Sequence, residues 1–187
     1  LPRRGEEDFK MRRLILAVAG VLLLGALVGC GGPEGEGAVT PTPAILSQWA
    51  VDATASSEYG RPDWSATRAT GAPEVETCAD DARAWASAHG SGLEWLELAY
   101  EVPVYATEVR VYQNFGRGAV ARVKLLDASG GEHLVWEGTD TAQVCPGVLA
   151  VSMPRTDYLV SRVRVELDES RTGFWNEIDA VELIGLQ

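Results

Sequence analysis

The chain has 187 residues, 46% of them hydrophobic and 23% charged, with a formal net charge of −11. That balance excludes nucleic acid as a partner, because phosphates need Lys and Arg to neutralise them, and it excludes docking by charge on anionic lipid headgroups. The three cysteines include no CxxC pair, and no neighbouring pair of histidines completes a zinc set.

The first element is a leader. Lys10, Arg12 and Arg13 precede an apolar run of 15 residues from Leu14 to Val28. A spanning helix needs roughly 20, and Gly20, Gly25 and Gly29 weaken this one further. The run closes in Leu27-Val28-Gly29-Cys30. Basic start, short apolar core and small residues before a cysteine resemble a bacterial lipoprotein export signal, with Met11 as its natural start. The resemblance implies that residues 1–29 are removed as a signal peptide and that Cys30 is lipidated. The product would be anchored to a membrane, at the cell surface or in the periplasm. The alternative is an uncleaved transmembrane helix. Residues 1–29 hold five basic and three acidic side chains, so their removal takes the formal charge to −13.

Residues 30–43 form the lipidated Cys and a Gly/Pro/Thr tether, GGPEGEGAVTPTP after the cysteine, with no apolar periodicity. Residues 44–187 suit one domain, long enough to bury a core. Within it the period is two. Trp95 to Tyr100, Thr107 to Tyr112, Ala121 to Leu125 and Ser161 to Leu167 alternate apolar with polar, as strands with one wet face do. Further strands are predicted at His133 to Glu137, Val148 to Met153 and Ile178 to Ile184, with Gly, Asn, Asp and Pro turns between them. The stretch 74–89 reads as a long loop with a helical turn around Cys78 to Ala88. In an oxidising compartment Cys78 and Cys145 are expected to pair; the alternative is two free buried thiols.

Three segments together carry a resemblance: Ala53-Thr54-Ala55-Ser56-Ser57, then Ala69-Thr70-Gly71-Ala72-Pro73, and finally Trp175-Asn176-Glu177-Ile178-Asp179-Ala180-Val181-Glu182. In this order they resemble the galactose-binding-like superfamily, which holds the discoidin (coagulation factor 5/8 type C) domains and many carbohydrate-binding modules. The resemblance covers most of 47–185. It implies an all-β fold, a jelly-roll β-sandwich of about eight antiparallel strands. It also implies ligand binding by loops at one end and a structural calcium. For calcium it points to carbonyls around Ala66 to Gly71, with Thr70 among them, and to a carboxylate of the last strand: Glu182 first, then Glu177 and Asp179. The alternative reading of Glu182 is the polar face of a strand.

For ligand contact, three loop clusters pair an aromatic with planar donors, which is what sugar faces and hydroxyls require. They are Arg171 with Phe174, Trp175 and Asn176; Asn114 and Arg117 with Phe115 between them, at a hairpin tip that offers an Arg little packing; and Tyr59 and Trp64 with Arg61 between them. Tryptophan is also a core residue, so Trp64 and Trp175 read equally as fold residues. Catalysis has little support. His89 and His133 sit in no nucleophile-elbow spacing, and abundant carboxylates alone do not make an acid–base pair. The sequence therefore reads as a lipid-anchored, non-catalytic binding module, with carbohydrate or another extracellular polymer as its partner. A protein-binding module of a surface assembly is the alternative, and an unclassified hydrolase the third.

Overall fold

Alternating valines and leucines build this fold, by giving each strand one apolar face. The structure, a computed structural model, describes residues 43–187, so the leader, Cys30 and all of the tether except Pro43 lie outside the described residues. Nine strands follow in chain order: β1 (Ile45–Trp49), β2 (Asp52–Ala55), β3 (Trp85–Ala86), β4 (Leu93–Phe115), β5 (Val120–Asp127), β6 (Glu132–Glu137), β7 (Gly147–Ser152), β8 (Val160–Asp168) and β9 (Glu177–Leu186). Every pairing among them is antiparallel.

They form two layers. In one, β9 pairs with β1, with β3 and with the second half of β4, which also carries β7. In the other, the order is β2, the first half of β4, β8, β5 and β6. β4 belongs to both layers. It leaves the second layer after Ala99, where the register breaks until Val104, and enters the first at Tyr105. Pro103 sits in that bend, where a missing N–H costs no ladder bond. Leu96, Leu98, Val109, Val111, Val123, Leu125, Val163, Val165, Val181 and Leu183 fill the space between the layers with no exposed surface. The fold is the all-β jelly-roll sandwich that the alternation and the resemblance implied.

Two details differ from the sequence reading. The segments 95–100 and 107–112, read as separate strands, are one 23-residue strand. No helix forms around Cys78 to Ala88. That stretch is a run of bends ending in β3, because Trp85 drops fully into the core and donates its indole N–H to the Ser57 carbonyl at 3.1 Å. Cys78 and Cys145 are joined as a disulfide, closing a loop for which chain entropy suggests about 4 kcal/mol of stabilisation.

Candidate functional site

The ends of β4 return to the same end of the sandwich, since Leu93 pairs with Asp168 and Phe115 with Glu177. Long loops gather there. The loop after β2 carries Tyr59 and Trp64, the loop before β3 carries Asp80, and the loop before β9 carries Phe174 and Trp175. With Ala86, Phe115 and Glu177 these residues line a cavity of about 100 Å³. The rings stand edge to face. Tyr59 meets Trp64 at 5.3 Å and Trp175 at 5.8 Å, Phe174 meets Phe115 at 5.3 Å and Trp175 at 5.8 Å. Edge-to-face pairing matches each ring's positive edge to the next ring's negative face. Larger hollows, of about 360 Å³ beside Tyr112 and Asp179 and of about 730 Å³ beside Glu58 and Arg61, gather no more than one ring each.

Two backbone features hold this arrangement. Trp64 is the one non-glycine residue with positive φ among the described residues, at 54°. For a bulky side chain that is a strained conformation, of a kind that clusters at functional sites. Its indole N–H donates to Asp80 Oδ1 at 3.1 Å. Trp175 is seated by two glycines. A Cβ on Gly90 would stand 3.1 Å from its ring, and a Cβ on Gly116, whose φ is +59°, would overlap its carbonyl oxygen. The Trp175 Nε1 is buried and has no hydrogen-bond partner.

Beneath the cavity lies a polar scaffold. Asn176 is fully buried and donates to Gln113 Oε1 at 2.9 Å and to the Gly116 carbonyl at 3.0 Å. Gln113 donates to Asp140 Oδ2 at 2.9 Å. Arg117 pairs with Asp140 at 2.8 Å, both side chains almost wholly buried, and also donates to the Val144 carbonyl at 2.7 Å. Glu169, fully buried, accepts the Asn176 N–H at 3.1 Å and the Ser87 hydroxyl at 3.2 Å; burial pushes its pKa up to about 7. Glu177 accepts the Asp81 N–H at 3.0 Å and the Asn114 side-chain amide at 2.6 Å. Burial raises its pKa as well, and the neighbouring carboxyl of Asp80 raises it further.

The predicted ligand contacts thus divide. Tyr59, Trp64, Phe174 and Trp175 come together around the cavity, with Tyr59 and Phe174 the most exposed of them. Asn114, Asn176 and Arg117, expected at the surface, are instead buried. Arg117 has a packing reason after all, in the buried Asp140. Arg171 turns away to the carbonyls of Val120 and Gly138. Phe115 is the member of the Asn114–Arg117 cluster that reaches the cavity, since strand alternation turns it to the opposite side from Asn114. Asp80 was missed.

The residues named for calcium are separately engaged. Glu182 accepts from Ser47 Oγ, from Tyr112 at 3.0 Å and from Arg110 at 3.4 Å. Asp179 accepts the N–H groups of Glu74 and Val75, each at 3.0 Å. Thr70 donates to the Thr67 carbonyl at 2.7 Å. Among the described residues no three His, Cys, Asp or Glu side chains are grouped to hold a metal.

Solved structures of similar fold include carbohydrate-binding modules. Chitosan-binding module 1 from a chitosanase/glucanase of Paenibacillus sp. IK-5 superposes with a TM-score of 0.52 at 21% identity, over 72% of this chain and 94% of that one. The family 32 module of NanJ from C. perfringens, in complex with galactose, gives 0.52 at 16%, over 74% and 99%. The family 32 module of AlyQ, in complex with 4,5-unsaturated mannuronic acid, gives 0.54 at 15%, over 74% and 97%. No curated protein matches the chain. The family model described as Pappalysin-1, SD scarf domain, C-terminal, matches residues 41–187.

Proposed function

The chain belongs to the Pappalysin-1 SD scarf domain, C-terminal, family over residues 41–187, and on that premise we propose that it is a non-catalytic glycan-binding module. The observation that carries the reading is the convergence of Tyr59, Trp64, Phe115, Phe174 and Trp175, from separate loops, on one cavity with carboxylates in its wall. Sugars stack their CH faces on such rings and donate hydroxyls to such carboxylates. The cavity of about 100 Å³ is smaller than the roughly 300–1,000 Å³ that encloses a drug-sized ligand. It fits the end of a polymer better than its length. The galactose, mannuronic acid and chitosan named for the similar modules support a sugar ligand by fold analogy.

The lipoprotein-type leader would display the module outside the cytoplasm, and the Cys78–Cys145 disulfide is consistent with an oxidising compartment.

The test is a glycan array probed with the intact chain, with Tyr59→Ala and Trp175→Ala beside it. Tyr59 is 56% exposed, so its truncation should abolish binding while the melting temperature holds. A folded chain that binds no glycan would overturn the reading in favour of a protein partner.

A further inference from the structure

The aromatic cavity has an electrostatic bias that a neutral sugar site does not need. Its lining contains two carboxylates and no basic residue. Glu177 is only 2% exposed. Its Oε2 is occupied by the Asp81 N–H and by Asn114, while its Oε1 receives no hydrogen bond from any donor among the described residues. Asp80 receives the Trp64 indole N–H and nothing else there. Neither carboxylate takes part in an ion pair among the described residues. The nearby cations are committed elsewhere: Arg83 to Asp81 at 2.6 Å, Arg68 to Asp63 at 3.1 Å, Arg61 to Glu58 and Arg117 to Asp140.

Two carboxyls lining one small cavity among aromatic rings are costly to ionise together. An incoming cation relieves that repulsion, and the rings add their own attraction, since an ammonium within about 6 Å of a Tyr or Trp face is drawn to the ring quadrupole. An anionic sugar would meet the opposite: repulsion from both carboxylates, with no Arg or Lys in the lining to offset it.

We propose that this cavity selects a positively charged nitrogen on its ligand, specifically the protonated primary amine of an amino sugar that carries no N-acetyl group. The ammonium sits against Asp80 and Glu177, and the sugar ring lies along Tyr59 and Trp175. The inference rests on the reading of the cavity as a glycan site and narrows it to one ligand class. Acetylation removes both the charge and two of the donors, so the acetylated sugar loses what the carboxylates recognise.

The experiment compares oligomers of glucosamine with the same oligomers fully N-acetylated, titrated into the intact chain and followed by calorimetry. Tetramethylammonium, followed by quenching of tryptophan fluorescence, is the non-sugar probe. Asp80→Asn and Asp80→Lys are the variants, since Asp80 lies at the surface and neither substitution opens the core. The expected result is at least tenfold tighter binding of the free-amine oligomer, with the preference lost in Asp80→Asn and binding abolished in Asp80→Lys. Equal binding of the two oligomers, or tighter binding of the acetylated one, overturns the amine inference and leaves the glycan reading standing. So does an array in which only neutral or acidic glycans bind. If no glycan binds but tetramethylammonium quenches the wild type and not Asp80→Lys, the cation site stands and the glycan reading falls. Silence from every probe overturns both.

Discussion

Asn176 donates its side-chain amide to Oε1 of Gln113 at 2.9 Å, and neither side chain reaches solvent. Gln113 passes the chain on to Asp140, and Arg117 closes it. Four polar side chains thus form the floor on which the aromatic loops rest. In such a network the removal of one member leaves its partners unpaired in a low dielectric. Asn176→Ala strands both Gln113 Oε1 and the Gly116 carbonyl and should cost about 2–4 kcal/mol. Arg117→Ala leaves the Asp140 charge buried alone and should cost about 3–5 kcal/mol. Urea denaturation measures both, and a loss below about 1 kcal/mol in each would show that the network does not support the fold.

Gly116→Ala should be worse than its small size suggests. It must hold φ at +59° and also push the Trp175 carbonyl aside. Gly130, at φ +88° with nothing near its would-be Cβ, serves as the control for strain alone. Gly130→Ala should cost about 1–2 kcal/mol, and Gly116→Ala clearly more, with a change in tryptophan emission. Equal costs would mean that the Trp175 loop yields freely.

Glu169 gives the fold a pH dependence. Burial pushes its pKa up to about 7, so the folded chain holds this proton more tightly than the unfolded chain does. Its contribution is complete below the ordinary carboxylate range and is lost as pH rises through about 7. Glu177, raised in the same direction by burial, adds to the trend. The melting temperature should therefore fall between pH 5 and pH 8, and Glu169→Gln should flatten that slope. A melting temperature that climbs over this range in the wild type would contradict the assignment.

Breaking the Cys78–Cys145 bridge releases 67 residues of sequence separation. Cys78→Ser with Cys145→Ser should lower stability by about 4 kcal/mol in the chain-entropy picture. It should also weaken ligand binding at temperatures where the domain is still folded, because Cys78 holds the loop that carries Asp80. Binding unchanged in the folded double variant would show that this loop is fixed by its other contacts.

Much of this was readable beforehand, for identifiable reasons. Val163, Val165 and Leu167 alternate with Arg162, Arg164 and Glu166, and such a pattern has one stable solution, a strand with one face inward. Trp85 escaped notice because its strand is two residues long and no period can be read from two residues. Asn114, Arg117 and Asn176 misled for the opposite reason: polar side chains between turn residues suggest solvent, and the partners that bury them lie up to 63 residues away in sequence. Aromatic content predicted the cavity wall better than polarity did, since Tyr59, Trp64, Phe174 and Trp175 all reached it. The Asp80–Glu177 pair unites residues 97 positions apart, and local pattern carries no trace of it.

The pairing of β1 with β9 has a mechanical side. Ile45 lies opposite Leu186 and Trp49 opposite Glu182, so the chain enters the sandwich at the end of β9 remote from Glu177. Nine residues of strand, about 30 Å, separate the entry point from the cavity. A pull between a polymer held at the cavity and the chain at Ile45 would draw β1 and β9 past one another lengthwise. All five residue pairs would then bear the load together, as in a lap joint, where a peeling force would open them singly. A module held by such a seam can resist drag far better than its five-residue edge strand suggests.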